Sequence, residues 1–131
     1  MVASDNPMPE KGLKSSLLGD VLIVEDDFII ALDLEDMLRS LGVAHERTAN
    51  NVTQALAAIA QAAPHFGLID VNLGGEKSFA VAERLVELSI PFAFTTGYGD
   101  KFAFPPHLAN ARMVTKPYSV EAIHAAISSI E

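Results

Sequence analysis

Four short apolar runs, far apart in the chain, each stop at side chains able to do polar chemistry. Val21-Leu22-Ile23-Val24 leads into Glu25 and Asp26, and Phe66-Gly67-Leu68-Ile69 leads into Asp70. Pro91-Phe92-Ala93-Phe94-Thr95 leads into Thr96, and Arg112-Met113-Val114-Thr115 into Lys116, with Pro117 next. Three carboxylates gathered in one crevice repel each other, and some would take up protons unless a cation joined them. Mg²⁺ suits such a place because it needs few protein ligands, keeps several waters and bridges phosphate oxygens. A carboxylate can also act as the nucleophile in phosphoryl transfer, which depends on positioning and on neutralising charge. Lys116 offers a point charge and Thr96 a hydroxyl donor for that purpose.

These ends meet only if the runs are parallel strands of one sheet. Val21 to Val24 has the continuous, β-branched character of a strand buried on both faces. Helical spacing follows in Ile30, Leu34, Met37, Leu38 and Leu41, with Asp27 as the helix-start residue and Gly42 as C-terminal cap. Val43 to Ala49 is polar enough for an edge strand. Asn50 or Asn51 then caps a helix whose apolar face is Val52, Ala55, Leu56, Ile59, Ala60 and Ala63, and Pro64 stops it. After Asp70 comes a loop, Val71 to Gly75, in which Gly74-Gly75 reads as a flexible turn. A helix with Val81, Ala82, Leu85, Val86 and Leu88 follows, and Ser119 caps a last one carrying Val120, Ile123, Ile127 and Ile130. The alternation predicts an α/β fold: a flavodoxin-like five-stranded parallel sheet in order 2-1-3-4-5, with helices on both faces. Ligands of such sheets sit beyond the carboxyl ends of the strands, where the strand order reverses. Pro105-Pro106 removes two backbone donors, so the fourth helix should be short or irregular. Phe102 and Phe104 in that stretch are expected to be partly buried.

The 131 residues suit one domain, with residues 1–17 read as a flexible N-terminal tail and 18–131 as the folded unit. Nine Lys and Arg are scattered among seventeen Asp and Glu, a net charge of −8. That balance disfavours nucleic acid and anionic membrane surfaces as partners. No run of apolar residues is long enough to span a bilayer and no signal peptide is evident, so a cytoplasmic protein is expected. Cysteine is absent, which excludes disulfides and thiolate chemistry. His45, His65, His107 and His124 lack metal-ligand spacing and read as surface residues.

Together, Val21 to Asp27, Leu68-Ile69-Asp70-Val71-Asn72-Leu73, Phe94-Thr95-Thr96-Gly97 and Lys116-Pro117 resemble the four signature segments of response-regulator receiver domains. The resemblance runs over about residues 18–131. It implies that Asp70 is the phosphoacceptor, that Asp26 binds Mg²⁺ directly and Glu25 through water, and that Asn72 lends the metal its backbone carbonyl. It implies that Thr96 and Lys116 bind the phosphoryl oxygens and report their presence, and that the Lys116–Pro117 bond is cis. The donor would be a sensor histidine kinase or a histidine phosphotransfer protein of a two-component phosphorelay. Phe94 to Tyr98 is also similar to the FAT GUY subgroup of single-domain receivers, whose signature is Phe-Ala-Thr-Gly-x-Tyr. Thr95 stands at its Ala and Gly99 at its final Tyr. This second likeness implies a poorly formed fourth helix and kinases of the HWE and related types. Ordinary receivers keep Tyr or Phe three residues before the lysine. Met113 stands there, so the expected output route is a rearrangement of residues 98–110.

The resulting expectation is a stand-alone receiver that catalyses only its own phosphorylation and dephosphorylation. It would signal by protein–protein contact or drain phosphoryl groups from a shared kinase. Two rivals stay open: a pseudo-receiver that binds partners without taking phosphate, and an aspartyl-phosphate phosphatase on a related fold. Such phosphatases commonly carry a second Asp two residues after the nucleophile, where this chain has Asn72.

Overall fold

The apolar density of the first run makes it the centre of the molecule. In a computed structural model, which describes residues 19–97, 104–108 and 110–128, Asp20–Val24 forms strand β1, with Val21 to Val24 fully buried. Residues 1–17, expected to form a tail, lie outside the described residues, as do Phe102 and much of the 98–110 segment.

Helix α1 (Phe28–Ser40) starts where the Asp27 carboxylate accepts the Ile29 and Ile30 N–H groups at 2.9 and 3.2 Å. It gives way at Leu41 to Gly42. Strand β2 (His45–Ala49) exposes His45 and Thr48 and buries only Ala49, as its polarity suits for an edge. Asn51 caps helix α2 (Val52–Gln61), its side chain accepting the Gln54 N–H at 2.8 Å. Asn50 is turned instead toward the Glu25 carbonyl, to which its side chain donates at 3.4 Å. Strand β3 (Phe66–Asp70) is buried throughout.

The expected loop after Asp70 is a small antiparallel hairpin, β4 (Asn72–Leu73) with β5 (Glu76–Lys77). Its turn is Gly74-Gly75. Helix α3 (Phe79–Glu87), strand β6 (Phe92–Thr96), a 3₁₀ turn (Pro106–Leu108), strand β7 (Arg112–Thr115) and helix α4 (Val120–Ser128) complete the described chain. Among the described residues only that 3₁₀ turn occupies the slot of a fourth helix between β6 and β7.

The main sheet is parallel with the order β2-β1-β3-β6-β7, the 2-1-3-4-5 pattern once the hairpin strands are left aside. Strand alternation divides its side chains between two cores. Leu22, Val24, Ile69 and Phe94 pack against Ala55 and Ile59 of α2 and Val81, Ala82 and Leu85 of α3. Val21, Ile23, Phe66, Leu68 and Ala93 pack against Leu34 and Leu38 of α1 and Ile123 and Ile127 of α4. The helical faces are narrower than the sequence pattern suggests. Ala60 and Ala63 are exposed, and so are Val86 (50 %), Leu88 (39 %) and Val120 (36 %). Ala63 and Leu88 lie past the ends of α2 and α3, and a helix of nine or ten residues laid on a sheet buries one stripe only, beside which Ala60, Val86 and Val120 fall.

Two long-range contacts fix the frame. Arg47 on the edge strand donates to both carboxylate oxygens of Asp20, at 3.2 and 2.8 Å. It also donates to the carbonyls of Ala58 and Ala62, at 2.9 and 2.7 Å, capping the end of α2. Phe104, half-buried, lies 5.5 Å from Phe79 and 5.3 Å from Phe94 between ring centres, anchoring the described part of the 98–110 segment on the α3 side. Among the described residues no helix is long and apolar enough to cross a membrane.

Candidate functional site

Parallel strands all point the same way, so the polar residues that end β1, β3 and β7 arrive at one edge of the sheet. There Glu25, Asp26 and Asp70 each present a carboxylate oxygen, and these three atoms lie within 4.8 Å of one another. Glu25 and Asp70 are buried and Asp26 is exposed. Lys116 reaches in from the end of β7, its Nζ donating to Asp70 Oδ2 at 2.9 Å. Asp70 Oδ1 accepts the Asn72 N–H at 3.2 Å. Glu25 Oε2 accepts the Asp27 N–H at 3.1 Å.

Glu25 Oε1 is different. It stands 3.4 Å from Lys116 Nζ, near enough for attraction, yet it is a buried acceptor without an aligned hydrogen bond. Burial is the main reason that Glu25 is pushed up to about 7, with the neighbouring Asp70 charge adding to it. The Asp27 N–H and Lys116 pull the other way. Burial draws the Lys116 ammonium down, but its hydrogen bond to Asp70 and the surrounding negative charge outweigh this, and its pKa is raised. Lys116 is therefore charged at neutral pH. One ammonium among three carboxylates leaves the cluster short of positive charge. A buried, unsatisfied carboxylate oxygen facing two others is the donor set a hard divalent cation requires.

The carboxylates open onto a hollow of about 390 Å³ whose lining includes Asp70, Asn72, Gly74, Gly75, Gly97 and Lys116. That is room for a hydrated ion and a phosphoryl group together. A second hollow of about 380 Å³, bounded by Ile30, Asp33, Met37, Lys116, Pro117 and Tyr118, shares Ile30 and Lys116 with the first. The Lys116–Pro117 peptide between the two is cis.

Of the residues singled out by sequence, Glu25, Asp26, Asp70, Asn72 and Lys116 come together at the hollow. Thr96 does not line it among the described residues. It ends β6 beside Thr115, and its carbonyl accepts the Lys116 N–H at 2.7 Å. Thr95, paired in register with Asp70, is buried against Tyr118. The Tyr118 hydroxyl is buried near Thr95 without meeting hydrogen-bond geometry, and burial raises its pKa. Asn72 uses its side-chain carbonyl to accept from Lys77 across the hairpin. Gly74 and Gly75, which the sequence offers as a flexible turn, and Gly97 of the Phe94-Thr95-Thr96-Gly97 segment also line the hollow.

Comparison with known proteins agrees with this geometry. The model of the response regulator receiver domain family matches residues 21–128. The phyllosphere-induced regulator PhyR of Methylorubrum extorquens is 31 % identical over 120 residues, which are 88 % of this chain and 45 % of that protein. The sensory transduction protein LytT of Bacillus subtilis is 32 % identical over 107 residues, 79 % of this chain and 44 % of that protein. This chain thus spans under half the length of the curated relatives it matches. Among solved structures, SdrG from Sphingomonas melonis Fr1 superposes with a TM-score of 0.77 at 36 % identity, over 87 % of this chain and 97 % of that one. The PhyR receiver domain of Erythrobacter litoralis gives 0.73 at 32 % identity, over 85 % and 88 %.

Proposed function

The chain belongs to the response regulator receiver domain family, and from that premise we propose that it is a phosphoacceptor whose Asp70 takes a phosphoryl group in a Mg²⁺-dependent reaction. The observation that carries this reading is the meeting of Glu25, Asp26 and Asp70 oxygens within 4.8 Å, with Lys116 donating to Asp70 at 2.9 Å.

Asp70 is the nucleophile. One of its oxygens forms the new P–O bond as the P–N bond of a phosphohistidine breaks and the imidazole leaves. The donor is a sensor histidine kinase or a histidine phosphotransfer protein. Asp26 and Asp70 would hold Mg²⁺ with their carboxylates, Glu25 through a water and Asn72 with its backbone carbonyl. When bound, the ion supplies positive charge to the transferred oxygens. Lys116 leaves its ion pair with Asp70 to meet a phosphoryl oxygen. Thr96, at the end of β6, donates its hydroxyl to another and transmits the change. The chain turns over no external substrate; it signals through the surfaces this change alters, by contact with another protein. A relative solved in a BeF3-activated conformation, SdrG, superposes with a TM-score of 0.72, which supports the same chemistry here.

Intact-mass measurement after incubation with acetyl phosphate and Mg²⁺ tests this. The wild type should gain one phosphoryl group, and Asp70→Ala and the wild type in excess EDTA should gain none. Equal labelling of wild type and Asp70→Ala rejects Asp70 as acceptor.

A further inference from the structure

The β4–β5 hairpin, which follows Asp70, is pinned by three hydrogen bonds. Lys77 Nζ donates to Asn72 Oδ1 across its two legs. The Val52 N–H donates to Glu76 Oε2 at 3.3 Å, and the Ser78 N–H to the Val71 carbonyl at 3.0 Å. Its turn residues, Gly74 and Gly75, have φ of +61° and +105°. A two-residue hairpin turn with positive φ at both positions is built at least as readily from Asn-Gly as from Gly-Gly. Turn geometry therefore accounts for glycine at 75 but does not require it at 74.

The surroundings supply the missing reason. A Cβ at Gly74 would lie 3.1 Å from Asp26 Oδ2 and 4.0 Å from its Cγ, whereas a Cβ at Gly75 would meet nothing within 4 Å. We propose that Gly74 is a positioning residue for the cation site: its missing side chain leaves the Asp26 carboxylate room to stand beside those of Glu25 and Asp70. This rests on the Mg²⁺ reading above and deepens it. Asp26 is exposed, so the fold absorbs an asparagine at 74, a residue that accepts positive φ, by turning Asp26 aside. The cation site does not, because Mg²⁺ tolerates little departure from octahedral geometry at about 2.0–2.1 Å from its oxygens. Stability and metal affinity are thereby separable at this position.

The test titrates the full chain with MgCl₂ by isothermal calorimetry, with thermal melts in parallel, for wild type, Gly74→Asn, Gly42→Ala, Asp26→Asn and the Asp26→Asn/Gly74→Asn double variant. Gly74→Asn should melt with the wild type yet bind Mg²⁺ about tenfold more weakly, the scale of a disturbed ligand support. Gly42→Ala takes on backbone strain at a φ of +91°, with nothing within 4 Å of its Cβ, so it should melt earlier while keeping its Mg²⁺ affinity. On the Asp26→Asn background, Gly74→Asn should have no further effect on affinity, because its influence runs through that carboxylate. Should Gly74→Asn fail to fold, Gly74→Ala carries the affinity comparison, its backbone strain judged against Gly42→Ala. Wild-type affinity in a folded Gly74 variant overturns the inference alone. A wild type that binds no Mg²⁺ overturns the metal reading and the inference with it.

Discussion

Lys116 Nζ donates to Asp70 Oδ2 at 2.9 Å, joining the ends of two strands that lie 46 residues apart in sequence. The same ammonium stands 3.4 Å from Glu25 Oε1, so one cation serves two buried carboxylates. Lys116→Ala should destabilise the metal-free protein at pH 8 by about 3 kcal/mol, the usual scale for stripping one partner from a buried ion pair. Saturating Mg²⁺ should recover part of the loss, since an ion that binds only the folded state stabilises it. Urea unfolding with and without MgCl₂ measures both effects.

Glu25 gives the metal-free protein a pH dependence of stated sign. Its carboxyl is pushed from an ordinary 4.5 to about 7 by burial, so between those values the folded state binds more protons than the unfolded state. Stability contributed at this site must therefore fall as pH rises from 4.5 to 7 and stay low above. Glu25→Gln, which cannot ionise, should be the more stable protein at pH 8, by up to about 3 kcal/mol, and the difference should vanish near pH 4.5. Denaturant midpoints across this range decide it, and a gap that widens toward acid would be the wrong sign.

The same proton competes with the cation. Mg²⁺ affinity should weaken as pH falls through about 7, and binding near that pH should release a proton. Calorimetry in buffers of different ionisation enthalpy reads the proton directly. Affinity that is flat from pH 6 to 8 would mean that Glu25 takes no part in holding the ion.

Asp27 sits next to Glu25 and Asp26, the two acids that follow β1, but caps its own helix. Asp27→Ala should cost about 1 kcal/mol through loss of the cap on Ile29 and Ile30, and Asp27→Ser should restore most of it. Thermal unfolding of the three proteins checks the order.

Arg47 serves Asp20 and the end of α2 with four hydrogen bonds from one guanidinium. A lysine keeps the charge but cannot present the planar fork. Arg47→Lys should lose about 2 kcal/mol, with no change in the mass gained from acetyl phosphate.

Most of the frame was legible in the sequence because buried parallel strands demand continuous apolar runs, which Val21 to Val24 and Phe66 to Ile69 display. The polar residues that follow those runs marked the carboxylate edge for the same reason. The β4–β5 hairpin was not legible, since strands of two residues are too short to set up any alternation. Nor was the clamp at Arg47, which joins a strand to a helix end that only folding makes adjacent. The facing of Thr95 and Thr96 also depends on register. The pattern places both at a strand end but does not say which one meets Tyr118. The glycine at 74 looked like slack in a loop, and its meaning appears only when the Asp26 carboxylate is seen against it.

Strand β6 ends in two threonines that alternation sends to opposite sides. Thr95 shares the face of Ala93 and lies beside Tyr118, while Thr96 shares the face of Phe94, on which Phe104 rests. The sheet separates the two halves of the interior, and this dipeptide at its carboxyl edge presents one side chain to each. A displacement of the strand tip would therefore bear on the tyrosine side and on the phenylalanine side at once.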